Sequence, residues 1–161
     1  MDMKALFKVQ CGLFITGTEL DGKLNACVTN TLMQQSHTPV KFSITMQKSN
    51  YTHDMILKKK SLAVSVVSEQ VTEALIKRFG FASGRDTEKF ANFPHGLDQN
   101  GNPLLSGEEI SANISLSVYD TVDIGTHTLF LCTAVDLMDL PHASITYSRY
   151  QEVLRNKIKN N

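Results

Sequence analysis

Lys48, Ser49, Asn50, Tyr51, Thr52 and His53 follow one another between an alternating run, Val40 to Met46, and a helix-compatible run, Asp54 to Lys60. A phosphate dianion is bound by a cation, by short hydroxyl or amide side chains, and by the free backbone N–H groups that open a helix. This hexapeptide offers all three at one strand-to-helix turn. The same residues also fit a plain capped helix start, because Ser and Asn are common N-caps. Both descriptions stay open on these residues alone.

Three further places carry chemistry-bearing types. Arg85 follows Ser83 and Gly84, and a planar guanidinium after a flexible residue suits a bidentate contact to phosphate oxygens, or else a solvated turn. His127 lies between Gly125 and an apolar run, where an isolated imidazole is more often structural than catalytic. Cys27 reads most simply as a small buried apolar side chain. Arg155 to Lys159 reads as a solvated basic helix end, favoured by the helix dipole.

The elements that must position these residues can be read from periodicity. Leu13 to Thr18 and Ala26 to Leu32 flank Asp21 and Gly22, a hairpin signal. Val40, Phe42, Ile44 and Met46 alternate with Lys41, Ser43, Thr45 and Gln47, which predicts a strand with one face in a core. Thr52 to Lys60 predicts a short helix with Asn50 as its N-cap, and Leu62 to Val67 another strand. Val71, Leu75, Ile76 and Phe79 have helical spacing, with Gly80 suited to the C′ position.

Phe81 to Gly107 is rich in Gly, Ser, Asn, Asp and Pro and reads as a long functional excursion, with a short helical possibility at Asp86 to Phe90. Strands are predicted at Ile110 to Val118 and Thr128 to Leu137, and a terminal helix at Tyr150 to Lys159. About six strands at short spacing, with helices that do not alternate regularly between them, predict a mainly β fold with α: an antiparallel barrel with peripheral helices.

The chain has 161 residues, 42% of them apolar, which suffices for one core, so a single domain over residues 1–161 is expected. Sixteen Lys plus Arg balance sixteen Asp plus Glu, so no global field draws it to nucleic acid or an anionic membrane. The absence of Trp and an aromatic share of 7% leave little for stacking bases. Cys11, Cys27 and Cys132 are far apart and outside any CxxC, which argues against a disulfide framework and a zinc site and for reduced cytoplasmic thiols. Neither an export signal nor an apolar stretch of the ~20 residues a membrane span needs is present.

Gly12 to Thr16, Asn25 to Thr31, Lys48 to His53, Arg78 to Phe81, Ser83 to Asp86 with Lys89 and Phe90, and Asp123 to Phe130 form an ordered set. Together they cover roughly residues 4–150. In that order they resemble the flavin reductase-like, FMN-binding split barrels, in particular the flavoredoxins, the archaeal ferric reductase and the flavin reductase module of high molecular weight rubredoxins. The resemblance implies a split β-barrel homodimer with one FMN per subunit near the dimer interface. It implies that the strand Ala26 to Leu32, containing Cys27, Val28, Thr29 and Asn30, offers backbone groups to the flavin.

Asn30, Thr31 and Gln34 would then meet ribityl hydroxyls and the ring edge, which needs donors and acceptors, or else form a solvated strand end. Lys48 to His53 would take the phosphate: Lys48 supplying charge, Ser49 and Tyr51 lying in the same turn, Asn50 and Thr52 supplying hydrogen bonds, and His53 a phosphate or helix-start contact. Ser83, Gly84, Arg85 and Lys89 complete the implied cofactor-binding set. His127 is implied to lie near the reactive face of the flavin, orienting nicotinamide or assisting proton transfer.

The implied activity is passage of electrons from NAD(P)H through FMN to free flavin, ferric iron or a redox protein. An FMN electron carrier serving a rubredoxin-like partner is the alternative. No GxGxxG fingerprint is present, so a nicotinamide would bind across the flavin. An oxidase of the pyridoxamine phosphate type is disfavoured by the lone Arg85 beside the cradle. Gln151 to Asn161 stand where relatives of this kind carry a longer Thr- and Pro-containing tail, so substrate access and dimer contacts are expected to differ.

Overall fold

The computed structural model describes residues 2–155 and 158. Seven strands form one antiparallel sheet: β1 (Phe14–Leu20), β2 (Lys23–Thr29), β3 (Met33–His37), β4 (Val40–Gln47), β5 (Ser61–Val67), β8 (Ile110–Asp123) and β9 (His127–Asp139). Their order is β2-β1-β5-β8-β9-β4-β3, so the sheet curls without joining its edges. This is a split barrel, as expected. A second, two-stranded sheet pairs β6 (Gly96–Leu97) with β7 (Pro103–Leu104).

The β1–β2 turn has both central residues in the left-handed region, Asp21 at φ 53° and Gly22 at φ 78°, the backbone whose twist matches a two-residue hairpin. Phe14, Cys27, Leu62 and Val64 face one apolar cluster with Ile44, Met46, Ile56, Leu116 and Phe130. Leu13, Ile15 and Ala26 face another, with Ile76, Phe79, Phe90 and Tyr150. The period of two along a strand sends neighbours to opposite faces, so β1 and β2 are covered on both sides.

Helix α1 (Tyr51–Lys59) runs from β4 to β5; the Asn50 side chain accepts from the Thr52 N–H, and Lys60 closes the helix in the left-handed region. Helix α2 (Glu73–Ile76) is shorter than predicted and opens into a π-helical turn over Lys77–Phe81. Gly80 therefore lies inside that turn and is not the C′ residue. A Cβ on Gly80 would stand 3.1 Å from Val28 Cγ2. Its missing side chain lets the turn approach β2, while the Phe79 carbonyl accepts from Lys89 Nζ.

Asp86 to Phe90 form turns, not a helix. β3 was not predicted: it is polar and largely exposed, and only its backbone pairing with β4 makes it a strand. Helix α3 spans Tyr147–Tyr150 and continues as a π-helical turn over Gln151–Arg155. Of the rest of the predicted terminal helix, only Ile158 lies within the described residues, and it is buried in the core. Among the described residues no helix is long and apolar enough to cross a membrane, and no group of His, Cys, Asp or Glu could hold a metal ion.

Candidate functional site

A cavity of about 150 Å³ opens where α1 begins, between β2 and the segment after the π-helical turn. Asn25 and Cys27, two apart on β2, present side chains to it from the same face. Ser49, Asn50 and Tyr51 enter from the α1 start, and Ser83, Gly84, Arg85 and Lys89 from the facing segment. Segments that are distant in the chain thus converge on one small, polar recess.

Cationic and hydrogen-bonding side chains dominate the lining of the recess. Lys89, only 3% exposed, donates from Nζ to the carbonyl oxygens of Ala26 (2.8 Å) and Phe79 (3.1 Å). An ammonium has three donors, so one remains. Burial lowers the Lys89 pKa. The Cys27 thiol is itself pushed up, chiefly by burial, against smaller lowering effects of Thr52, Lys89 and Asn50. It therefore stays protonated and puts no negative charge into the recess.

Arg85 stands at the rim, its guanidinium 4.9 Å from the Tyr51 ring centre and Nη2 3.0 Å from Asp54 Oδ2. Lys23 Nζ lies 5.0 Å from the same ring. Both are cation–π contacts. The carboxyl of Asp54 is held below its ordinary range, first by His53 and then by Arg85, against a raising effect of burial.

Gly84 is required by contact. A Cβ there would stand 2.1 Å from Asn25 Oδ1. That oxygen is buried and has no hydrogen-bond partner, although Asn25 Nδ2 donates to Thr52 Oγ1 at 2.8 Å. Asn25 was missed as a site residue by the sequence reading. Its signal was its place two residues before Cys27 on the strand, which puts both side chains on one face.

The remaining expected residues fall into different places. Thr52 is fully buried behind the recess, its hydroxyl accepting from Asn25. His53 is buried with both ring nitrogens engaged, Nδ1 3.0 Å from Asp54 Oδ1 and Nε2 2.9 Å from Thr128 Oγ1. These contacts tie the α1 start to β9.

The structure does not bring Lys48 into the recess. Its ammonium is 2.7 Å from Asp123 Oδ1, holding that carboxyl below its ordinary range with help from the Gly125 N–H. The pairing follows from the sheet: Gln47 sits opposite His127 in the β4–β9 register, and the Lys48 N–H donates to the Thr126 carbonyl. His127 is half-buried beside that turn, Nδ1 2.8 Å from Thr126 Oγ1, and does not line the recess.

Val28, Thr29 and Asn30 line a second depression of about 220 Å³ with Phe81, Tyr147 and Arg155, and Gly80 borders both openings. Thr31 turns its hydroxyl onto the Thr45 carbonyl (2.6 Å). Gln34 lies in β3, its amide on the Ser36 carbonyl (3.3 Å). Neither lines either opening.

A family model described as a flavin reductase like domain matches residues 7–152. The chain is 35% identical over 156 residues to a high molecular weight rubredoxin of Moorella thermoacetica, covering 96% of this chain and 68% of that protein. It is 32% identical over 158 residues to a ferric-chelate reductase (NAD(P)H) of Archaeoglobus fulgidus, covering 98% of this chain and 93% of that protein. Among solved structures, an FMN-binding protein from Thermus thermophilus superposes with a TM-score of 0.73 at 24% identity, over 81% of this chain and 72% of that one. At that identity the likeness carries the fold.

Proposed function

The chain belongs to the flavin reductase-like domain family, and from that premise we propose that it is an FMN-dependent oxidoreductase that takes electrons from NAD(P)H and delivers them to free flavin, ferric iron or a redox protein. The observation that carries the reading is the recess at the start of α1. A buried ammonium with a donor to spare, an arginine at the rim, the hydroxyl and amide side chains of Ser49, Asn50 and Ser83, and a glycine that leaves room for the Asn25 amide fit a phosphate monoester. Bound FMN would supply the redox chemistry, accepting a hydride from the nicotinamide and releasing electrons to the acceptor.

The protein's own residues have other tasks. Lys89 and Arg85 neutralise the phosphate, and Ser49, Asn50 and Ser83 offer hydrogen bonds around it. Val28, Thr29 and Asn30, which border the second depression beyond Gly80, would hold the rest of the cofactor. The β2 edge, unpaired on one side, offers backbone groups to the ring. Thr31 and Gln34 reach it after a side-chain turn. His127 orients the nicotinamide or assists proton transfer, and Lys48 keeps the adjoining turn in place through Asp123. Thr52 and His53 act from behind, holding the cradle.

The subunit is further proposed to pair with a second copy through exposed apolar side chains on β8 and β9, among them Val122, Leu137 and Met138. The reduced thiols suit the cytoplasm. Sedimentation of the purified protein tests the dimer, and a monomer at micromolar concentration rejects it.

The activity is tested by the visible spectrum of the FMN-loaded protein, mixed without oxygen with NADH and with NADPH. Rapid bleaching by either supports the reductase. The similarity to the high molecular weight rubredoxin favours a second reading, an electron carrier for a rubredoxin-like partner. That reading is supported if neither nicotinamide bleaches the flavin but reduced rubredoxin does. A chain that takes up no FMN from excess solution overturns both.

A further inference from the structure

Asn25 carries a feature that the phosphate site as described does not use. It is 1% exposed, it lines the recess, and its Oδ1 has no hydrogen-bond partner. Leaving a buried acceptor unsatisfied is unfavourable, so such an atom calls for a ligand or a second orientation. An acceptor is the wrong group to present to a phosphate dianion, which accepts at every oxygen. The other end of the same side chain is the right one.

Asn25 Nδ2 donates to Thr52 Oγ1 at 2.8 Å. A hydroxyl either accepts or donates, so turning the amide half a turn about its terminal torsion preserves the contact. The Thr52 hydroxyl then donates to Oδ1, and Nδ2 with its hydrogens occupies the place of the unpartnered oxygen. Gly84 makes room for either orientation, because any Cβ there would overlap the whole amide, at 2.1 Å from Oδ1 and 2.7 Å from Nδ2.

We propose that Asn25 is a phosphate-reading residue: in the loaded protein its amide is turned so that Nδ2 donates to the anion in the recess, with Thr52 reversing its hydroxyl to hold the turned amide. This rests on the FMN reading above and deepens it. Asn25 gives the site its preference for a flavin ending in phosphate over riboflavin, which has the same ring and ribityl chain and no anion.

The experiment compares FMN and riboflavin binding by flavin fluorescence quenching in the wild-type chain and in Asn25→Asp, which keeps the shape, loses the donor and adds a negative charge. The expected result is a loss of FMN affinity of about ten- to a hundredfold at neutral pH, with riboflavin affinity unchanged within about twofold. Should that variant fail to fold, the wild-type chain loaded with FMN gives the answer by NMR. The Asn25 side-chain amide is then expected to show coupling to phosphorus across the hydrogen bond, and none with riboflavin.

Equal FMN affinity in wild type and Asn25→Asp, or an FMN-loaded wild type without that coupling, overturns the role of Asn25 and leaves the FMN reading intact. Parallel weakening of FMN and riboflavin also overturns it, since a structural residue would act on both. A wild-type chain that binds riboflavin as tightly as FMN, or neither, removes the phosphate reading itself and this proposal with it.

Discussion

At the scale of single residues, the recess depends on one missing methyl group and one buried cation. Gly84→Ala places a Cβ 2.1 Å from Asn25 Oδ1, and the displaced amide or the displaced Ser83–Arg85 segment spoils the cradle. FMN affinity is expected to fall by at least about tenfold, a change of roughly 1.4 kcal/mol, in a titration followed by flavin fluorescence, with the far-ultraviolet circular dichroism unchanged. Lys89 acts by charge. Burial places its pKa below the ordinary lysine value, and only the protonated form attracts phosphate, so FMN affinity falls as pH rises through that lowered value. Lys89→Met is expected to bind FMN weakly at all pH values and to lose this alkaline dependence. Lys48→Ala, whose ammonium lies on Asp123, is expected to weaken FMN binding less than Lys89→Met in the same titration.

At the scale of elements, α1 is fastened at its start by three contacts: the Asn50 cap, the His53 bridge to Thr128 on β9, and the Asp54 pair with Arg85. Asn50→Ala removes a cap and is expected to lower stability by about 1 kcal/mol, read from the urea midpoint, and to loosen FMN. The pH dependence has a definite sign. The Asp54 carboxyl titrates below its ordinary value in the folded chain, so the stability it contributes is present above the ordinary carboxylate value and is lost as pH falls through the lowered one. Urea midpoints measured through that acid range are expected to fall more steeply in the wild type than in Asp54→Asn.

At the scale of the whole molecule, the split barrel decides which groups meet solvent. Cys132 lies in the barrel cluster with its pKa pushed up to about 12 by burial, Cys27 faces the recess at 6% exposure, and Cys11 is partly exposed. Labelling with a thiol reagent, followed by mass spectrometry, is expected to modify Cys11 first, Cys27 slowly and more slowly still with FMN bound, and Cys132 only on unfolding. Equal rates at all three sites would contradict the burial described.

The strands that hold the site were legible because their side chains alternate. Val40 to Met46 and Ile110 to Val118 show the period directly, and Asp21 with Gly22 marks the hairpin. β3 was not legible, since Met33 to His37 carry no apolar alternation and lie at the sheet edge, paired with β4. The π-helical turn was not legible either: Gly80 looked like a helix end, and only the approach to Val28 and the reach of Lys89 to the Phe79 carbonyl account for its place.

For the site, the local chemistry of residues 48–53 and 83–89 was readable as types suited to an anion, because capping, hydroxyl and cationic groups are properties of a short segment. The ordered set of short segments sufficed to indicate the family. Which cation enters the recess was decided by the sheet register, which sets Lys48 against the β8–β9 turn beside Asp123, and by the burial of Lys89 behind β2. Asn25 became a site residue for the same reason. A side chain's neighbours across a curled sheet depend on strand order and close approach of backbones, and neither is encoded in the spacing of residues along one segment.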